Sequence, residues 1–192
     1  MFKIAVLISG SGTTLDSIIR DAAKDSVYEV ALVISDRICP GIQYARKHHI
    51  PHVIIQRNEL MSDLILKEVQ SMDLVVLAGF LSILEGKVLD VMKDRIINLH
   101  PSLLPSFGGK GMYGMRVHEA VFRSGMRISG CTVHYVNEII DGGSMILKRI
   151  VGLKDAKSPE DVRKKVTAVE KGALIDAIRL IVMEETVNES IG

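Results

Sequence analysis

The chain has 192 residues, 47% hydrophobic and 24% charged, with 24 Lys and Arg against 23 Asp and Glu for a formal net charge of +1. This length and apolar content suit one folded domain over residues 1–192 and exclude disorder, which requires low hydrophobicity and high net charge. The balanced charge gives no footprint for nucleic acid or an anionic membrane, two cysteines make no disulfide framework, and there is no apolar run of transmembrane length; a cytoplasmic protein with neither partner is expected.

Met1–Ile8 lacks the basic start and small-residue cleavage site of a secretory leader and instead opens a strand, Lys3–Ser9. Leu15, Ile18, Ile19 and Ala22 then recur at helical spacing. Glu29–Ser35 reads as a second strand, Gly41–His49 as a short helix and Pro51–Ile55 as a third strand. Met61, Leu64, Ile65 and Val69 mark a helix, Asp73–Ala78 a fourth strand stopped by Gly79, Val88–Lys93 a weak helix and Arg95–Leu99 a fifth strand. Strands apolar on both faces, alternating with helices, predict a Rossmann-like α/β fold: a mostly parallel sheet covered by helices on both faces.

The second half changes character. Pro101–Gly114 has no helical or strand period and reads as a long functional loop. Val117–Arg123 is a short helix and Ser129–Val136 a half-buried strand alternating Cys131, Val133 and Tyr135 with Thr132 and His134. Asp141-Gly142-Gly143 is a turn, and Met145–Val151 returns as an antiparallel strand. Ser158 as N-cap and Pro159 as first helical residue start a long last helix with an apolar stripe of Val162, Val166, Val169, Ala173, Ala177 and Leu180.

In parallel α/β sheets ligands bind beyond the carboxyl ends of the strands, which directs attention to Ser9–Thr14, Gly79–Leu84 and His100–Lys110. Gly10-Ser11-Gly12-Thr13-Thr14 joins the first strand to the first helix, where Thr13 or Thr14 can cap the helix and free N–H groups can hold a phosphate. It is not a dinucleotide fingerprint, because Leu15 stands where a third glycine belongs. Asn98 and His100, two apart at the end of the fifth strand, emerge on one face; an amide N–H suits a developing oxyanion and an imidazole carries a proton near neutral pH. Asp141 is either a turn former or the carboxylate that keeps such an imidazole charged. His118 is expected on the rim of its helix, and neither it nor His134 makes a metal site; His48, His49 and His52 read as a solvated cluster, so no metal is expected. Gly108-Gly109-Lys110-Gly111 reads as a flexible surface loop ahead of a phosphate site, and the glycine content of Gly108–Gly114 suggests a lid.

Asn98-Leu-His-Pro-Ser-Leu-Leu-Pro105 resembles a run found in folate-dependent formyltransferases. Gly130–Val136 followed by Asp141-Gly-Gly143 resembles that family's second motif, and Ser9–Leu15 and Val75–Phe80 resemble its opening strand units, all in the same order. The resemblance implies formyl transfer from 10-formyltetrahydrofolate to the primary amine of glycinamide ribonucleotide, with Asn98, His100 and Asp141 as the catalytic trio. It further implies acceptor contacts at Gly10, Ser11, Gly12, Thr13 and Thr14 and at Glu170, Lys171, Gly172 and Ala173. Folate contacts are implied at Leu81, Ser82, Ile83, Leu84 and Asn98 and at Asn137, Glu138, Ile139, Ile140 and Asp141. The chain departs from the usual pattern at Thr14, where Asn is common, and at Ser82, where Arg is common; Arg57 lies near another folate-side arginine.

The implied chemistry has Asn98 and a protonated His100 stabilising the tetrahedral oxygen, with Asp141 keeping His100 charged and moving a proton. A monomer or homodimer serving small molecules is expected. The competing readings are a formyltransferase for another amine and a non-catalytic nucleotide-binding module in which Asp36 contacts ribose.

Overall fold

The computed structural model describes residues 1–191. Its elements are β1 (Phe2–Ile8), α1 (Thr13–Asp25), β2 (Tyr28–Ser35), α2 (Ile42–Lys47), β3 (His52–Ile54), α3 (Met61–Val69), β4 (Leu74–Leu77), α4 (Lys87–Val91), β5 (Ile96–His100), α5 (Met115–Arg123), β6 (Ile128–Tyr135), β7 (Met145–Gly152) and α6 (Pro159–Ile191). The strands form one seven-stranded sheet in the order β3-β2-β1-β4-β5-β6-β7. The chain divides into two compact units, the first comprising residues 1–97 and the chain from residue 179 onward, the second residues 98–178. The division falls within β5 and within α6. Among the described residues no helix is long and apolar enough to cross a membrane.

In the first unit β1 pairs in parallel with β2 and with β4, so Ala5 lies opposite both Leu32 and Val75. Ile4–Ile8 and Leu74–Leu77 are buried throughout, as strands flanked on both edges and covered on both faces require. The turn after β1 is made by glycine rather than by a threonine cap. Gly12, at φ 71°, is the N-cap of α1 and no side chain bonds to the helix start. A Cβ on Gly12 would lie 2.5 Å from Gly41 Cα, and the Gly41 N–H donates to the Gly10 carbonyl at 3.0 Å. Close approach of two backbones sets this turn and leaves Thr13 and Thr14 inside the helix.

Asp21 of α1 is almost fully buried and is satisfied by three donors: Arg179 Nε at 2.8 Å, Lys24 Nζ at 3.1 Å and Tyr28 Oη at 3.1 Å. Burial raises the Asp21 carboxyl, but these donors outweigh it and hold the group below the usual carboxylate range.

In the second unit β6 and β7 are antiparallel, pairing Ile128 with Gly152 at one end and His134 with Met145 at the other. Ser129–His134 is buried on both faces, not half-buried as the alternation predicts, because the polar face carrying Thr132 and His134 is covered by hydrogen-bonded loops. The Asp161 N–H donates to Ser158 Oγ at 3.2 Å, the expected cap of α6. Val162, Val166, Ala173 and Ala177 are buried as the stripe predicts, whereas Leu180 is exposed and Leu174 and Ile178 are buried in its stead. A helix of 33 residues drifts against any short repeat, so its buried face moves along the sequence.

Arg179→Ala should lower stability by about 2 kcal/mol at neutral pH in denaturant unfolding, the scale of a hydrogen bond to a charged group. Because the Asp21 carboxyl is depressed in the folded state, its contribution is complete above the unfolded value of 3.8 and is lost as pH falls through the lower folded value. The gap between wild type and variant should close in that acid range; a constant gap would contradict the assignment.

Candidate active site

The second unit brings four polar side chains distant in sequence into one cluster. Asn98 and His100 project from the end of β5, His134 from the end of β6, and Asp141 from the turn before β7. Asp141 sits at φ 58°, a conformation that Asp tolerates better than most residues. Its turn is fixed by the Ile139 N–H on Asn137 Oδ1 at 2.9 Å and the Gly142 N–H on the Ile139 carbonyl at 2.9 Å. A Cβ on Gly143 would lie 1.8 Å from the Tyr135 carbonyl, so only glycine lets this turn close against β6.

One Asp141 oxygen, Oδ2, lies 3.3 Å from His100 Nδ1 and accepts the Gly109 N–H at 2.8 Å. The other, Oδ1, lies 3.6 Å from His134 Nε2. His100 Nε2 donates to the Phe107 carbonyl at 2.8 Å. His134 Nδ1 donates to the Tyr135 carbonyl at 2.8 Å, and the Asn98 amide donates to His134 Nε2 at 3.3 Å. The side chains of His100 and Asp141 are 4% and 10% exposed, so the pair works in a medium where each contact is stronger than in water.

Burial draws His100 below an ordinary histidine despite the opposing pull of Asp141 and of the Phe107 carbonyl. Desolvation of a side chain this buried thus opposes the expected role of Asp141 in keeping the ring charged. Burial raises Asp141, but the His134 ring and the Gly109 N–H lead the effects that outweigh it, and the carboxyl lies below its usual range. A neutral His100 with its proton on Nε2 points the Nδ1 lone pair at Asp141, an arrangement with room for one more proton.

The glycine segment after Phe107 is therefore part of the site. Gly109, at φ 93°, supplies an N–H to Asp141, and a Cβ on Gly108 would lie 2.4 Å from Leu104 Cδ2. Sequence reasoning missed Phe107, Gly109 and the place of His134; the shared face of Thr132 and His134 was the available signal. His118 is 4% exposed, not on a rim, with no hydrogen-bond partner at Nδ1. Among the described residues no group of three His, Cys, Asp or Glu could hold a metal.

Ile139 and Ile140 are exposed. On α6, burial raises the carboxyl of Glu170, Gly172 is exposed, and Ala173 lies in the core with no exposed surface. In the first unit Gly10, Ser11 and Thr13 are exposed at the end of β1. Leu81 and Ile83 are exposed, whereas Leu84 is buried. Ser82 donates to Asp36 at 2.6 Å, joined there by Arg37 Nε at 2.9 Å and Arg57 Nε at 2.8 Å. Burial raises the Asp36 carboxyl, but these donors together hold it far below the usual range. With its side chain fully buried and its oxygens occupied, Asp36 is not presented to a ribose.

The sequence profile of the formyl transferase family matches residues 2–178. The chain is 37% identical over 180 residues to the phosphoribosylglycinamide formyltransferase of Haemophilus influenzae, across 88% of this chain and 82% of that protein. It is 35% identical over 195 residues to the chloroplastic phosphoribosylglycinamide formyltransferase of Arabidopsis thaliana, across 95% of this chain. The chain spans 66% and 62% of the two plant relatives and 18% of the vertebrate trifunctional purine biosynthetic proteins it matches. Among solved structures, glycinamide ribonucleotide transformylase 1 of Symbiobacterium toebii has a TM-score of 0.86 at 33% identity, covering 96% of this chain and 89% of that one.

The His100 ring should titrate below 6.5 when followed by NMR. Asp141→Asn removes the negative charge that favours the protonated ring and should move the midpoint further down; an upward move would contradict the pairing.

Proposed function

Because the chain belongs to the formyl transferase family, we propose that it transfers a formyl group from 10-formyltetrahydrofolate to the primary amine of glycinamide ribonucleotide, a step of purine biosynthesis. The observation that carries this reading is the contact between His100 Nδ1 and Asp141 Oδ2 at 3.3 Å, beside the Asn98 amide. In this reading the two units are parts of one formyltransferase domain acting in the cytoplasm, as a monomer or homodimer.

The amine attacks the formyl carbon, a carbon–nitrogen bond forms, and the carbonyl oxygen becomes an oxyanion. The Asn98 amide donates to that oxygen; one such donor supplies about 3 kcal/mol of transition-state stabilisation. The attacking nitrogen must lose a proton and the folate nitrogen must gain one as its bond to carbon breaks. Neutral His100 takes the proton at Nδ1, directly or through water, and Asp141 stabilises the imidazolium so formed. The same proton then passes to the leaving nitrogen, so the ring ends neutral and the transfer is balanced.

Substrate contacts divide between the segments named above. Gly10, Ser11, Gly12, Thr13 and Thr14 hold the acceptor phosphate through backbone N–H groups at the start of α1, with Glu170, Lys171, Gly172 and the backbone of Ala173 as further acceptor contacts. Leu81, Ser82, Ile83 and Leu84 form one folate-binding segment, and Asn137, Glu138, Ile139 and Ile140 with Asp141 form another. Remote phosphate binding fixes the amine near the carbonyl. Ser82 is held by Asp36, so the folate segment has a polar anchor in place of the arginine common there.

Wild-type protein should convert the two substrates to formylated amine and deformylated folate in equal amounts, followed by folate absorbance and product analysis. Asn98→Ala, His100→Ala and Asp141→Asn should each lower kcat by about a hundredfold or more, with much smaller effects on folate affinity. Near-normal turnover in all three would refute the roles, and transfer only to a different amine would reassign the acceptor.

A further inference from the structure

The atom that fixes the His100 ring is a backbone carbonyl, not a side chain. It belongs to Phe107, held at φ 56°, where a bulky residue rarely rests without support from its surroundings. That support comes from β6 and β7. The Thr132 hydroxyl, with no exposed surface, donates to the Ser102 carbonyl at 2.8 Å and accepts the Leu104 N–H at 3.0 Å. The Ser102 hydroxyl, also fully buried, donates to the Ser106 carbonyl at 2.6 Å. Lys148 Nζ of β7 donates to the Leu104 carbonyl. The segment between His100 and Phe107 is thus tied at Ser102, Leu104 and Ser106, and the buried ties converge on Thr132.

A carbonyl oxygen only accepts, so a ring nitrogen 2.8 Å from it must carry a proton. With that proton on Nε2, the neutral ring has its lone pair on Nδ1, beside Asp141. The opposite tautomer would set a lone pair against the Phe107 oxygen. The position of this one carbonyl favours the proton on Nε2, against the pull of Asp141 on Nδ1. Asp141, His134 and His118 are the other titratable groups that act on the ring; none of them contacts Nε2 in place of the carbonyl.

We propose that Thr132 is a positioning residue, which through the 102–107 loop holds His100 as the Nε2–H tautomer and leaves Nδ1 as the proton-accepting atom, with Lys148 as a second tie to the same loop. The inference rests on the reading of His100 as the proton-handling group. The Thr132 hydroxyl bonds to backbone groups of the loop, the Leu104 N–H and the Ser102 carbonyl.

The test compares wild type, Thr132→Val, Thr132→Ser and Lys148→Met as full-length protein, with 15N spectra of the histidine rings recorded above the titration of His100. Wild type should show a protonated Nε2 and a bare Nδ1. Thr132→Val keeps the shape but loses the hydroxyl; it should give mixed tautomer signals and a kcat lower by about tenfold or more, with KM for both substrates little changed. Thr132→Ser should restore both readings, and Lys148→Met, on the edge strand, should shift them in the same direction by less. A wild-type ring protonated at Nδ1, or a Thr132→Val ring indistinguishable from wild type, would overturn the proposal. Should Thr132→Val not fold, the wild-type tautomer and an unshifted Lys148→Met ring are each still sufficient to overturn it. His100→Ala separates the two claims: normal turnover there defeats the proton-handling reading, whereas an unchanged tautomer in the loop variants defeats only the role of Thr132.

Discussion

A carboxylate that is nine-tenths buried must have its oxygens satisfied, because an unpaired buried charge costs far more than any single contact returns. Asp141 meets that condition in part with a backbone N–H from Gly109, and its remaining oxygen positions face the His100 and His134 rings. Much of the second unit's local structure follows from this requirement. Gly143 is glycine so that the turn carrying Asp141 can close against the Tyr135 backbone, and a side chain at Gly108 would displace Leu104 Cδ2. Gly109 takes a positive φ and gives Asp141 its N–H.

The same requirement sets the electrostatics. Asp141 stays ionised although burial opposes it, and His100 is drawn down although Asp141 opposes that. The two groups differ because Asp141 receives the Gly109 N–H beside two imidazole rings, whereas burial dominates at His100. The pair therefore rests with an ionised acid beside a neutral base, one proton short of a fully bonded arrangement. That gap suits a transfer in which a nitrogen gives up a proton early and another nitrogen regains it late.

The β1 to β5 alternation was legible because buried parallel strands are apolar on both faces, so runs such as Ile4–Ile8 and Leu74–Leu77 announce themselves. Asn98, His100 and Asp141 were legible as candidates, since two share a strand face and the third marks a turn. What composition could not show was the role of backbone groups. Nothing in the letters Phe107 or Gly109 says that a carbonyl or an N–H faces the histidine and the carboxylate, and a glycine-rich stretch reads as flexible whether it is mobile or pinned. His134 and Thr132 were hidden by an alternation that marked their side of β6 as exposed. At the first turn, the threonine cap failed because the approach of Gly12 to Gly41 is a tertiary contact, which local pattern does not encode.

The central claim is that Asp141 is ionised and anchors the cluster. The direct measurement is a 13C NMR titration of its carboxyl carbon in the full-length protein without substrates. The midpoint should lie below 3.8, the ordinary value for the group. A midpoint near neutrality would place the resting proton on the carboxylate, leave His100 without its negative partner, and contradict the proton route built on this pair.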